Sequence, residues 1–541
     1  MTRQVKSLAD RQLKEKTCSI DLCFVILIAP IYSINWVNFF QCYSNAINAS
    51  NQNINSMTRQ VKSLADRQLF WKTLFEAKKL ASQLASLATD HIDGVTYDDL
   101  PQYGRVHVVA ESASSLGDNF MSDTFIVMAQ LTASGNKTHT LSTFIKVLPT
   151  NALLRQAAYE SHTHHREINM YHHFFGLLRE MHADQPIPLD VPDVYYTHIE
   201  EMVVKDGTDG SGICTLLEDL KAQGYRMAEK ALGADYRHCH MALTSLAHFH
   251  ALTLNVVRKW TDPVTGELSN MPPTTTFFLE EKTMYDMGML EMIQDNYKNI
   301  VEFAAEVDRP DLVEWLNELK ERLPEIITYD TKDNSGPLAC ILHGDFWNNN
   351  MLFKYEDDGQ RGAKDKDEAN ASSSIPIALK MIDFQISRIG HPISDILYFM
   401  YSSAAPETRE KHMLVLLRYY FDTLTTDLRL LGISLDDYSW EDFVREYKRR
   451  SLTWMFMGIV VLSFVLNKKV LTKLDDLDAE ERLKEPKPET DVEPEKGASG
   501  MTLELEETMK NMMKSQKLSD NPTLTHRLLK LIVEVKALNS C

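Results

Sequence analysis

Strand-like and helical patterns of apolar residues succeed one another along this chain. Residues 105–110 (RVHVVA), 124–131 (TFIVMAQL) and 139–147 (HTLSTFIKV) are rich in β-branched and aromatic positions and are separated by polar turns, which predicts three strands. Residues 153–181 read as a long helix, because Ile168, Tyr171, Phe175 and Leu178 recur at spacings of three and four. Two more strands are expected in PDVYYTHIE (192–200) and GICTLLEDL (212–220), then a helix over 227–257 with Ala242, Leu246 and Phe249 on one face. Residues 259–309 hold a Pro-rich turn and then helices whose Met, Phe and Leu residues read as core rather than as a pocket. The charged low-complexity run 355–374 reads as a solvent loop, and a helix is expected to begin just after Pro392. The most apolar later run, SLTWMFMGIVVLSFVL (451–466), is short for a membrane span, which wants about 20 residues, and reads as a buried helix. An acidic, Pro-rich stretch (475–499) reads as disordered, and a last helix is expected at 524–538.

The first 56 residues stand apart. MTRQVKSLADRQL occupies 1–13 and returns unchanged at 57–69, and only the second copy runs on into a helical pattern. A single copied segment is not a structural repeat, since repeat architectures stack at least about three units. Met57 is therefore the expected functional start, with 1–56 an extension outside the fold. Between the copies, residues 20–40 are apolar, but the uninterrupted part stops at Pro30 and Asn35 and Asn38 follow. That length matches a signal-peptide core better than a span. Membrane association is expected only if this segment has a targeting role.

Composition narrows the partners. The 541 residues carry 57 basic and 76 acidic side chains, a net charge of −19, which argues against a nucleic-acid partner. Seven cysteines without regular spacing do not make a disulfide framework, and point to a reducing, cytoplasmic setting.

Candidate chemistry concentrates in CILHGDFWNNNMLF (340–353) and LKMIDFQ (379–385). Each is an apolar run ending in a carboxylate, Asp345 in one and Asp383 in the other, with Asn350 five residues after Asp345. Phosphoryl transfer from a metal nucleotide needs such a set: one carboxylate takes the acceptor's proton, while the other and the amide hold Mg²⁺. Lys146, alone in the apolar IKV, must send its ammonium to an anion or out to solvent. Glu167 lies beside the helical stripe, where it could meet Lys146. The turn 112–123 (SASSLGDNFMSD), with Gly117, could lay backbone N–H groups over phosphates. LLEDL (216–220) passes from apolar to polar at Glu218 and Asp219, as a crossing strand whose backbone would meet an adenine edge. Asp395, in the first turn of its helix, favours that helix end and could brace the preceding loop. Two histidine groups, at 162–173 and 238–250, suggest zinc, but their spacings make poor chelates and core or surface roles are expected.

These residues, taken in order, resemble the ecdysteroid-kinase-like (CHK kinase-like) family, which is similar to choline and aminoglycoside phosphotransferases. The carrying motifs are GDNFMS at 117–122, FIKV at 144–147, REINMY at 166–171, LLEDL at 216–220 and LAHFHA at 246–251. HGDFWNNNMLF at 343–353, MIDFQ at 381–385 and SDILYFMYSS at 394–403 complete the set. The resemblance implies an α+β, two-lobed protein-kinase-like fold, with a small antiparallel-sheet N-lobe at 57–215 and a larger, mainly helical C-lobe at 216–474. Residues 475–541 would be an acidic linker and a terminal helix. It also implies roles. Lys146 would contact the nucleotide α/β-phosphates with Glu167 as ion-pair partner, and Asp345 would be the catalytic carboxylate. Asn350 and Asp383 would hold Mg²⁺. Gly117, Asn119 and Ser122 would belong to the loop over the phosphates, Leu217, Glu218 and Asp219 to the adenine hinge, and His343 to the bracing of the catalytic loop.

The implied activity is ATP-dependent phosphorylation of a small-molecule hydroxyl, of an ecdysteroid or another lipophilic alcohol. A choline-like or xenobiotic kinase and a catalytically silent nucleotide-binding protein are the alternatives. The phosphate loop lacks the three glycines of protein kinases, and Gln385 stands where they have glycine after Asp-Phe. Both departures point to the small-molecule branch.

Overall fold

The computed structural model describes residues 18–22, 105–112, 122–132, 138–148, 158, 162–198, 214–229, 233–279, 289–332, 336–356, 375–466 and 517–540. The acidic stretch 475–499, the charged run from 357 to 374, most of the apolar segment 20–40 and the phosphate-loop residues 117–121 lie outside that set. The chain divides into two compact units. The first comprises Met1–Ala113, Phe125–Ile145 and Glu200–Cys214, and the second Ser114–Thr124, Lys146–Ile199 and Thr215–Cys541.

The first unit is built on strands. β1 (Cys18–Leu22), β2 (Arg105–Ser112), β3 (Asp123–Thr132) and β4 (Thr138–Val147) are hydrogen-bonded in that order, and β2 runs antiparallel to both neighbours, with Val108 opposite Ile20 on one side and Ala129 on the other. The three β-branched runs of the sequence are thus strands, each slightly longer than its apolar centre. Five residues of the N-terminal stretch pair with them as β1.

Lys146 and Val147, the last two residues of β4, belong to the second unit. The helix expected over 153–181 is interrupted in the described residues. His162 sits in the left-handed region (φ 53°), and α1 (Thr163–Asn169) starts directly after it. A π-helical turn at Met170–Phe174 then separates α1 from α2 (Phe175–Met181). The apolar stripe survives the interruption: Ile168, Tyr171, Phe175 and Leu178 are all buried. β5 (Val194–His198) pairs with β6 (Cys214–Glu218), and β7 (Tyr225–Arg226) follows.

α3 (Tyr236–Trp260) begins nine residues later than its apolar pattern suggested. Its start is set by Asp235, whose side chain accepts from His238 N–H at 3.0 Å, while Ala234 N–H is committed to Ser403 O at 2.8 Å. α4 (Met289–Glu306), α5 (Pro310–Leu319) and α6 (Leu323–Lys332) follow. Between α3 and α4, Phe278 packs edge-on to Phe174 at 5.1 Å and lies 6.1 Å from Trp260, so the aromatics of this segment are core.

Four short strands then frame the site. β8 (Cys340–Leu342) pairs antiparallel with β11 (Arg388–Gly390), and β9 (Met351–Tyr355) with β10 (Pro376–Met381). β7 pairs with the far side of β9. The helical remainder is α7 (Ile393–Ser402), α8 (Pro406–Leu430), α9 (Trp440–Val465) and α10 (Pro522–Asn539). α3 packs on α8, α7 on α9, and α9 on α10. The run 451–466 is the buried half of α9, whose N-terminus is closed by a reciprocal Ser439–Asp442 capping box. No helix among the described residues is long and apolar enough to cross a membrane. Strands early and helices late are the α+β arrangement expected from the sequence.

Candidate active site

Two loops meet because two strand pairs hold their ends. One loop, 343–350, joins β8 to β9, and the other, 382–387, joins β10 to β11. The register sets Met351 opposite Met381, and Ile382 N–H donates to Asn350 O at 3.0 Å just beyond them. Arg388 opposite Leu342 closes the other side. Residues more than thirty positions apart are thereby held side by side.

Within the first loop, Gly344 takes a positive φ of 88°, and a Cβ there would lie 2.2 Å from Ile386 O. Only glycine fits. Asp395, at the start of α7, receives Gly344 N–H at 3.0 Å and His343 N–H at 2.6 Å. Its carboxyl stays below the usual carboxylate range. Burial works against that, but the His250 hydrogen bond and the charge of Arg388 help to outweigh it. His250, fully buried on α3, donates Nε2–H to Asp395 at 3.1 Å and accepts the Tyr420 hydroxyl at Nδ1, 2.7 Å.

His343 is pinned at both ring nitrogens. Nε2–H donates to Ile382 O at 3.0 Å, and Nδ1 accepts Asp345 N–H at 3.3 Å. The ring lies 4.4 Å from that of Phe384, and burial pushes its pKa down. A neutral imidazole with both nitrogens committed to backbone ties one loop to the other and has no spare atom for proton transfer.

Asp345 carries two side-chain donors, one on each oxygen. Tyr398 O–H donates to Oδ1 at 2.7 Å, and Asn350 Nδ2 donates to Oδ2 at 2.8 Å and to the Asp345 carbonyl at 2.9 Å. Burial and the charge of Asp383 push the Asp345 carboxyl up to about 6, against the pull of these donors. Asp383, at φ 69°, is a non-glycine residue in the left-handed region. Its Oδ1 meets Lys146 Nζ at 2.8 Å, and the same ammonium meets Glu167 Oε2 at 2.7 Å. Burial alone would lower the Lys146 pKa, but the two carboxylates outweigh it and hold it above the ordinary lysine range. Lys146 stays a cation.

The structure thus brings Lys146, Glu167, Asp383, Asn350, Asp345, His343 and Asp395 into one contiguous network. Leu217, Glu218 and Asp219 stand apart from it at the end of β6. Glu218 accepts from Asp193 N–H at 3.0 Å and from Gln223 Nε2 at 2.6 Å, and its own N–H donates to Asp193 O at 3.0 Å. Asp219 accepts from Ala222 N–H at 3.1 Å, so both side chains shape the turn after the strand. Ser122 is buried just before β3, while Gly117 and Asn119 lie outside the described residues.

Two further members of the network, Tyr398 and His250, have roles that the sequence pattern does not assign them, Tyr398 lying inside the 394–403 motif and His250 among the histidines of 238–250. Tyr398 follows Asp395 by three residues on α7, a spacing that places both on one face, and that was the signal available for it. The histidine groups are absorbed singly: His172 with Thr197, His238 with Asp235 and Tyr355, His248 with Asp427. Among the described residues no group of three or more His, Cys, Asp or Glu is arranged around a metal ion.

Residues 116–433 match the model of the ecdysteroid kinase-like family. No curated protein matches the chain. Among solved structures, the GDP complexes of aminoglycoside 2′-phosphotransferase-IIIa, a point mutant and the wild type, are each 11% identical, with TM-scores of 0.31 and 0.28. The alignments cover 69% of this chain in both cases and 91% and 92% of the respective structures.

Proposed function

Since the chain belongs to the ecdysteroid kinase-like family, we propose that it transfers the γ-phosphoryl group of ATP to the hydroxyl of a small organic alcohol. Asp345 is the catalytic carboxylate. As the acceptor oxygen bonds to phosphorus and the bond from phosphorus to the β-phosphate oxygen breaks, the hydroxyl proton passes to Asp345. Lys146, kept protonated by Glu167 and Asp383, supplies the positive charge for the nucleotide phosphates. Leu217, Glu218 and Asp219 are assigned to the nucleobase, and Gly117, Asn119 and Ser122 to the phosphate side.

Asn350 and Asp383 suit Mg²⁺. Both offer hard oxygen donors, and the Asn350 nitrogen is spent on Asp345, which leaves its amide oxygen for a cation. A bound ion there would neutralise phosphate charge. A loose phosphoryl-transfer transition state needs mainly positioning and charge neutralisation, and these residues supply both.

The observation that carries this reading is the closed chain of contacts. Lys146 joins Glu167 to Asp383, and Asn350 joins Asp345 to the strand end that bears Asp383. A protein that only bound nucleotide would have no use for a carboxylate held on both oxygens beside that chain. For the acceptor we take a lipophilic alcohol of the ecdysteroid type, in keeping with the family. The test is a screen of sterols, amino alcohols and xenobiotic alcohols with ATP and Mg²⁺, read by mass spectrometry for phosphorylated product. Asp345→Asn is expected to lose turnover by about 10²–10⁴-fold while nucleotide affinity persists. Equal rates for the two proteins on a true acceptor would remove Asp345 from the mechanism.

A further inference from the structure

We propose that Tyr398 is a positioning residue for phosphoryl transfer, its hydroxyl fixing the Asp345 carboxylate in the orientation that receives the acceptor's proton. This rests on the phosphotransferase reading above and adds a residue to it.

An aspartate side chain has two torsions, and a single hydrogen bond leaves it free to swing about that contact. Asp345 is held at two points. Asn350, five residues on in the same loop, holds Oδ2, and Tyr398, from α7, holds Oδ1 at 2.7 Å. Each carboxylate oxygen can accept about two hydrogen bonds, so one site on each is taken and the others keep a set direction. Both torsions are thereby determined.

The tyrosine is itself well held. It is 5% exposed, its ring lies 5.4 Å from that of Trp454 on α9, and its carbonyl accepts the Ser402 hydroxyl at 2.6 Å. One turn earlier on the same helix, Asp395 holds the two amides that precede Asp345. Just past the helix end, Ser403 Oγ accepts Asn348 N–H at 2.9 Å. A single rigid element therefore measures off residues 343, 344, 345 and 348, and Tyr398 is the member that reaches the reacting carboxylate. A buried tyrosine hydroxyl needs an acceptor, and any backbone carbonyl would satisfy it. Spending it on Asp345 has a consequence for reactivity that a carbonyl partner would lack. Reacting groups misplaced by even about 1 Å can lose about 10²-fold in rate.

Tyr398→Phe removes the donor and keeps the ring. In steady-state assays on an accepted alcohol it is expected to lower kcat by about 10–100-fold. KM for ATP and for the acceptor should stay within about 2-fold, since no contact to either substrate is removed. Thermal unfolding and nucleotide titration run on the same preparation report whether the fold is intact. A wild-type kcat, or a loss confined to KM, overturns the positioning role. Asp345→Asn is assayed alongside. If it is inactive while Tyr398→Phe turns over at the wild-type rate, the role of Tyr398 falls and phosphoryl transfer stands. If Asp345→Asn turns over like wild type, Asp345 leaves the mechanism and the role of Tyr398 falls with it, whereas the absence of phosphorylated product from any alcohol with the wild-type protein overturns the phosphotransfer reading itself.

Discussion

At the scale of single residues the site is governed by charges that cannot be removed singly. Lys146 is buried between Glu167 and Asp383, and deleting it would leave two carboxylates together in a low-dielectric setting. Breaking a buried ion pair from one side costs about 3–5 kcal/mol. Lys146→Met is therefore expected to lower the melting temperature as well as nucleotide affinity, measured by thermal unfolding and by titration with ATP. A surface lysine variant such as Lys298→Met should do neither, since Lys298 is exposed and, among the described residues, paired with Glu302 one turn away. Gly344 sets a second constraint. With φ at 88° and Ile386 O 2.2 Å from a built Cβ, Gly344→Ala must push the two loops apart. Its expected signature is loss of turnover larger than the loss of stability, read by comparing kcat with the unfolding midpoint.

At the scale of elements, α7 is the part on which the loop depends, and its C-terminal carbonyls are held by two buried arginines. Arg409 of α8 donates to Met400 O at 3.3 Å and Ala404 O at 2.9 Å. Arg527 of α10 donates to Ser402 O at 3.0 Å and Ala404 O at 3.3 Å. Positive charge at a helix C-terminus is favourable, and burial strengthens the effect. Arg409 is in turn paired with Glu534 of α10 at 2.9 Å. The last helix thus belongs to the support of the site, although it lies beyond the residues that match the family, 116–433. Arg527→Met strips a buried carbonyl of its donor, for which about 1–3 kcal/mol is the expected cost. Thermal unfolding should show that loss, and kcat should fall while KM changes little, because α7 and not a substrate contact is disturbed.

At the scale of the whole molecule, stability should depend on pH through buried histidines. His391 donates to the Tyr438 hydroxyl and accepts Ile393 N–H, and burial, with the charge of Arg450, holds its pKa well below 6.5. The folded protein keeps it neutral while the unfolded chain protonates it near 6.5. The stability it confers is intact above that pH and declines as pH falls below it, by about 1.4 kcal/mol per pH unit for one such group. Because Asp345, pushed up to about 6, works in the opposite sense over the same range, the His391 contribution is read as a difference: the wild-type unfolding midpoint should fall relative to that of His391→Gln as pH drops from 8 to 5. The strand runs, the buried helix at 451–466 and the motifs around Asp345 and Asp383 were all legible in the sequence, because each is a local pattern of residue types. So was the presence of Lys146 and Glu167, whose chemistry demands partners. The π-turn after Asn169, the late start of α3 and the roles of Tyr398 and His250 were not legible. They depend on partners 53 and 145 residues away, or on competition for backbone hydrogen bonds that no local pattern encodes. The sequence by itself determined which groups are proposed to carry phosphoryl transfer. Only the tertiary structure decided how they are aimed, because the two loops are brought together by strand pairing and held by one helix far along the chain.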